Sequence, residues 1–131
     1  MIEKPTVRWR RAAQEQAVAV SAGLLDPRNA YAERLWPTAF VDASEAALAR
    51  YDADLRTIDP ASDEQAWAVV ERVVTALNEV NDEHGRIETG EREAFADYVD
   101  AALHEAGVDV DGLTGRRSLD RSELTDQWRD W

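Results

Sequence analysis

The chain has 131 residues, 27 of them acidic and 15 basic, which gives a net charge of -12 at neutral pH. Its length and its hydrophobic fraction of 44% suit one domain with a core of its own. The lack of cysteine excludes disulfides, cysteine-based metal sites and a cysteine nucleophile, and the acidity argues against nucleic acid or an anionic membrane as a partner.

The charge is unevenly distributed along the chain. Residues 1–40 carry six basic and four acidic side chains, whereas residues 41–131 carry nine basic and 23 acidic ones. Arginine outnumbers lysine by 14 to one, a bias typical of a GC-rich bacterial genome. The apolar run Ala17–Leu25 is too short to span a membrane and is not followed by a small-x-small cleavage site. These features predict a cytoplasmic protein.

Alanine, leucine, glutamate and arginine dominate the chain, and no long stretch alternates β-branched with polar residues. This composition predicts an all-α fold. No linker interrupts the sequence, so residues 1–131 are predicted to form a single-domain bundle of four to six helices joined by short connections.

Two helices are predicted in the N-terminal third. The first runs from about Thr6 to about Gly23. The second, over 29–35, ends at Trp36-Pro37 because a residue before proline is pushed out of the helical region. The apolar stripe predicted for the first helix consists of Trp9, Ala13, Ala17, Val20 and Leu24.

Two capping patterns mark the next two helices. Asp42 with Glu45 predicts the start of one helix, which ends before Asp59-Pro60. Ser62 with Gln65 predicts the start of another, Asp63-His84, whose apolar residues cover about 160° of its circumference. Such a wide arc predicts that this helix lies near the centre of the bundle.

The last third is predicted to hold one long helix, over 90–106, with Thr89 as its cap. One helical turn within 108–117 and a terminal helix over 122–128 follow. The predicted core consists of Leu48, Tyr51, Leu55, Trp67, Val70, Val73, Val74, Leu77, Phe95, Val99 and Leu103.

The run from Asn78 to His84 is rich in metal-ligating side chains. On a helical wheel, however, Glu79 and Glu83 face away from His84, so one helix cannot bring all three to one ion. A metal- or carboxylate-dependent enzyme would need other helices to complete a site drawn from Glu79, Asp82, Glu83, His84 and His104. This enzyme is the alternative hypothesis, and no metal site or cofactor is predicted.

A stripe of Glu93, Asp97, Asp100 and His104 lies opposite the apolar face of the last long helix, so all four side chains are predicted to be exposed. From residue 79 to residue 111 the chain carries 11 acidic and two basic side chains. A concentrated negative surface attracts a basic partner and accelerates its encounter.

The sequence thus predicts a small acidic non-catalytic protein-binding domain that docks a basic protein through Glu93, Asp97 and Asp100. An inhibitor or immunity protein is one version of this function. A homodimer with Trp128 and Trp131 as interface anchors is a further hypothesis, since tryptophan is enriched at interface hot spots.

Overall fold

The computed structural model describes residues 2–131, and within them every regular element is helical. The six α-helices are α1 (Pro5–Ser21), α2 (Ala32–Leu35), α3 (Thr38–Leu55), α4 (Asp63–His84), α5 (Thr89–Glu105) and α6 (Val110–Gly115). Two 3-10 turns, Pro27–Asn29 and Arg121–Glu123, complete the order. The prediction of an all-α bundle is confirmed.

Helix α4 has the predicted limits and the predicted central place. The Ser62 hydroxyl accepts a hydrogen bond from the backbone N–H of Gln65 at 3.2 Å, and Gly85 ends the helix in the left-handed region at φ 62°. Helix α4 buries more side chains than any other described helix: Ala66, Trp67, Val69, Val70, Val73, Val74, Leu77 and Val80. Its neighbours therefore pack around it.

Helix α3 begins a turn earlier than predicted, at Thr38 after Pro37. The prediction that Asp42 caps this helix is wrong. Asp42 lies within the helix, where it and Glu45 accept hydrogen bonds from Arg10 of α1 at 3.0 and 2.7 Å. The acidic pair therefore joins two helices instead of starting one.

Helix α1 packs on the bundle only through its first half. Trp9 is buried, whereas Val18 and Leu24 are 68% and 84% exposed. The predicted stripe is therefore correct at Trp9 and wrong at Ala17 and Leu24, which are both exposed. Beyond the middle of α1 the chain folds back on itself, and the backbone N–H of Ala32 in α2 donates to the Gln16 side chain at 2.9 Å.

The C-terminal segment, residues 119–131, contains no α-helix. The predicted helix over 122–128 is wrong: the 3-10 turn Arg121–Glu123 is followed by further turns. The segment nevertheless packs on the bundle. Trp131 is buried against Phe95 at a ring separation of 6.1 Å, and Trp128 packs on Trp67 at 5.9 Å.

One hydrophobic core joins these elements, and ten of the 11 predicted core residues belong to its buried set. Leu55 is the exception, half-buried at the edge. An aromatic cluster forms the part of the core that touches α1. The Trp9 ring lies 5.7 Å from Trp36, 5.9 Å from Phe40 and 5.3 Å from Phe95.

Candidate functional site

The three predicted partner-binding residues line one groove of about 250 Å³ between α5 and the C-terminal segment. Glu93, Asp97 and Asp100 stand on the α5 side, and Leu124 lies among the residues of the opposite side. The groove therefore brings the predicted residues together. Its opposite side is formed by the C-terminal segment, which the stripe on α5 does not predict.

Asp100 is not the free carboxylate that the sequence predicts. Its two oxygens accept hydrogen bonds from Arg121 at 2.6 to 3.1 Å, and its side chain is only 25% exposed. The same guanidinium reaches Asp111 at 3.3 Å. Asp100 is therefore an anchor that holds the C-terminal segment on α5, and the prediction that its side chain is exposed is wrong.

All three arginines that line the groove have partners within the chain. Arg92 Nε donates to the carbonyl of Trp131 at 3.0 Å. Arg121 pairs with Asp100, and Arg129 pairs with Asp126 at 3.1 Å while its guanidinium lies over the ring of Trp131. Arg92 and Arg121 therefore join the C-terminal segment to α5, whereas the partners of Arg129 belong to that same segment.

Glu93 and Asp97 differ from those arginines. Both side chains are exposed, as predicted, and among residues 2–131 neither forms an ion pair or a side-chain hydrogen bond. Residues 93 and 97 lie one turn apart on α5, where two carboxylates repel each other by a few tenths of a kcal/mol. The groove thus presents two carboxylates that have no cation partner among the described residues, beside three arginines that are held by partners within the chain.

The residues of the enzyme hypothesis are not gathered into one site. His84 is partly buried at the end of α4, with its ring 6.1 Å from Phe40, whereas His104 is exposed near the end of α5. Over residues 2–131 no three histidine or acidic side chains are placed to hold one metal ion. The geometry therefore gives that hypothesis no support.

A cluster of Lys4, Asp52 and Tyr98 was not predicted from the sequence. Asp52 accepts a hydrogen bond from the Tyr98 hydroxyl at 2.6 Å and pairs with Lys4 at 3.0 Å. Burial, together with the neighbouring Asp52 carboxylate, raises the pKa of Tyr98. Burial also raises the pKa of Tyr51, whose hydroxyl donates to the carbonyl of Val99 at 2.7 Å. Both hydroxyls join α3 to α5.

From the raised pKa values of these two tyrosines we predict how the free energy of unfolding falls at alkaline pH. A tyrosine of the unfolded chain ionises near pH 10, whereas the raised pKa of Tyr98 keeps its hydroxyl protonated in the folded chain. The protonated hydroxyl therefore contributes its full stabilisation of the fold below about pH 10. This contribution is lost as the pH rises toward the pKa of Tyr98 in the folded state. We expect the urea midpoint to fall above about pH 10, and to fall less steeply in Tyr98→Phe. Equal slopes in the two proteins would contradict this role of the Tyr98 hydroxyl.

The start of α4 holds a second feature that the sequence did not reveal. The Arg117 guanidinium lies 4.2 Å from the ring centroid of Trp67, and its Nη1 donates to Gln127 at 3.0 Å. Arg116 pairs with Asp63 at 2.6 Å, which lowers the pKa of that carboxyl. These contacts fix the segment after α6 on α4, because a cation over an indole face is stabilising even at an exposed site.

Each of these clusters joins residues that are distant in sequence, so the stripe patterns could not predict them. The sequence signal for the arginine contacts was the arginine-rich stretch 116–129, which follows a strongly acidic part of the chain. This arrangement indicates that the stretch neutralises some of those acidic side chains. Comparisons with protein-family models, with curated proteins and with solved structures find no match to this chain.

Proposed function

We propose that this chain is a small acidic, non-catalytic protein-binding domain that docks a basic protein through Glu93 and Asp97. The observation that carries the proposal is the contrast within one groove. Its arginines have partners inside the chain, whereas its two outermost carboxylates have none among the described residues. Among the described residues, neither carboxylate has an internal cation that a partner's cation would have to displace.

The surroundings of the groove extend this attraction beyond direct contact. Residues 79–111 have a net charge of -9, and at about 0.1 M salt such a field reaches roughly 10 Å into solution. Attraction of this kind acts mainly on the association rate. The proposed complex therefore forms fast at low ionic strength and weakens as salt is added.

An inhibitor or immunity protein that covers a basic surface is one form of this function. We place the complex in the cytoplasm, following the sequence prediction. No helix among the described residues is long and apolar enough to cross a membrane. The carboxylates act by charge and position alone, so the proposal needs no cofactor and no covalent step.

The proposal predicts the effect of removing the two charges without changing side-chain shape. We expect the double variant Glu93→Gln, Asp97→Asn to bind a short oligo-arginine peptide about tenfold more weakly at low salt, since two exposed ion pairs contribute about 1.4 kcal/mol in total. Isothermal titration calorimetry at several salt concentrations measures the change.

The matched control is Glu64→Gln with Glu71→Gln, which removes two exposed carboxylates of α4 and changes the net charge equally. We expect this control to keep most of the affinity. An equal loss in the two double variants would show that the peptide responds to net charge, and the docking face would then be rejected.

A further inference from the structure

Residues 127–131 are held on α4 and α5 in a different way from the rest of the C-terminal segment. The turns before them are closed by main-chain hydrogen bonds within the segment, for example from the N–H of Glu123 to the carbonyl of Asp120 at 2.9 Å. Among the described residues, no main-chain group of residues 127–131 bonds to another main-chain group. Side chains of the two helices bind these groups instead, as they would bind a separate peptide.

One side chain of α4 binds two of these main-chain groups. Asn78 Nδ2 donates to the carbonyl of Trp128 at 2.8 Å, and its Oδ1 accepts from the N–H of Asp130 at 3.0 Å. An asparagine amide carries both donors and an acceptor, so one side chain can hold a backbone at two positions. From α5, Arg92 Nε donates to the carbonyl of Trp131 at 3.0 Å. These three bonds recognise a peptide backbone and not a particular side chain.

The tryptophans of the same residues occupy apolar positions on the helices. Trp131 is 6% exposed, its ring lies 6.1 Å from Phe95, and its Nε1 donates to the carbonyl of Val74 at 3.4 Å. Trp128 packs on Trp67 at a ring separation of 5.9 Å. Main-chain hydrogen bonds that give affinity, combined with positions for spaced side chains that give specificity, are typical of peptide recognition.

The covalent link to the segment does not favour its docked position. Ser118, directly before the segment, has φ 58° and is the one non-glycine residue with a positive φ among residues 2–131. Residues with a side chain adopt this left-handed conformation at a cost. Release of residues 119–131 would free Ser118 from it, so the docked position depends on the contacts of the segment itself.

Net charge does not explain the docking either. Residues 119–131 carry four acidic and two basic side chains, a net charge of -2, which leaves -10 for the rest of the chain. The two parts repel each other overall, and Arg121 offsets this only locally through Asp100 and Asp111. The helices therefore recognise residues 127–131 mainly by their backbone and their two tryptophans.

We propose that the surface of α4 and α5 beneath residues 127–131 is a peptide-binding site, filled in this structure by the chain's own segment, and that its ligand is a segment of a partner protein with two tryptophans three positions apart. Such a ligand would make the same main-chain bonds to Asn78 and Arg92 and would displace residues 127–131. The internal segment is thus an autoinhibitory occupant, which competes well because it is tethered to the site.

A synthetic peptide with the sequence of residues 119–131 tests the site on the full chain. The variant Trp131→Phe weakens the internal competitor, because it keeps an apolar ring but loses the indole N–H that bonds to Val74. We expect the labelled peptide to bind Trp131→Phe about tenfold more tightly than the native chain, since a larger fraction of the sites is open. Fluorescence anisotropy measures the affinity. If Trp131→Phe loses its helical circular dichroism spectrum, Trp128→Phe replaces it, because Trp128 is only partly buried.

Two matched controls separate recognition from non-specific adhesion. A peptide with alanine at both tryptophan positions has the same length and charge and should not bind. In the Trp131→Phe protein, the further change Asn78→Ala should weaken binding about tenfold, because two hydrogen bonds to the peptide backbone are lost. The further change Thr75→Ala, at an exposed position of the same helix, should leave the affinity unchanged.

Three results would overturn the proposal. They are a folded Trp131→Phe protein that does not bind the peptide, equal binding of the alanine peptide, and equal loss of affinity in Asn78→Ala and Thr75→Ala. A native chain that dimerises by exchange of its C-terminal segments would also contradict it, since the ligand would then be a second copy. The peptide is acidic, whereas the probe of the docking face is oligo-arginine, so either proposal can fail without the other.

Discussion

Replacing Trp9 with alanine is expected to lower the free energy of unfolding by about 3–5 kcal/mol, the usual cost of removing a buried aromatic side chain. Trp9 is only 4% exposed, and its ring contacts Trp36, Phe40 and Phe95. It is the main buried side chain by which α1 joins the bundle, so its loss also releases the second half of α1 together with α2. Urea unfolding followed by circular dichroism measures the change.

The control for this prediction is Glu15→Ala on the exposed side of the same helix, which should change stability by no more than about 0.5 kcal/mol. The prediction is wrong if Trp9→Ala unfolds at the native urea concentration. In that case the first half of α1 would not be an integral part of the core.

Replacing Trp131 with alanine is the second large effect, expected to lower the free energy of unfolding by about 3 kcal/mol. Trp131 is 6% exposed and packs on Phe95, and its Nε1 donates to the carbonyl of Val74 at 3.4 Å. Because it fixes residues 119–131 on α4 and α5, its loss should also uncover the Trp67 ring and shift the tryptophan fluorescence to longer wavelength.

The matched control is Asp130→Ala, because within residues 2–131 Asp130 forms a hydrogen bond through its backbone N–H and not through its side chain, to Asn78 at 3.0 Å. That variant should keep the native stability and emission. A Trp131→Ala protein with native stability would mean that the C-terminal segment detaches without cost, and it would remove the wall that this segment contributes to the Glu93–Asp97 groove.

The tryptophans show why the sequence-based homodimer hypothesis needs revision. Trp128 and Trp131 are candidates for interface anchors because tryptophan is enriched at interface hot spots. Both are instead used within the chain, Trp131 against Phe95 and Trp128 against Trp67. The sequence indicates that these side chains need burial, but it does not indicate which surface covers them.

Local patterns predicted the limits of α4 correctly, but they missed the start of α5, which is capped by Glu88 in a capping box with Glu91 and not by the predicted Thr89. Helix α4 has its predicted limits because Ser62 and Gly85 act on the helix ends themselves. The start of α3 was wrong because the capping pattern of Asp42 and Glu45 has another use, an ion pair with Arg10 more than 30 positions away. No pattern within one helix contains that information.

In the candidate site, too, the features set by one helix were predictable and the long-range contacts were not. The spacing of Glu93 and Asp97 opposite the apolar face of α5 predicted their exposure correctly. Asp100 lies on the same stripe, but a long-range pair with Arg121 covers it. Helix α1 shows the converse error, since periodicity assigned Leu24 to a buried stripe although the bundle ends before α1 does.

The most direct test of the docking face is a titration of the isotope-labelled chain with the oligo-arginine peptide, followed residue by residue by NMR at low salt. The account predicts that amide shifts concentrate around Glu93, Ala96 and Asp97 in α5 and vanish at high salt. Shifts spread evenly over the acidic surface, or centred on the exposed face of α4, would contradict it.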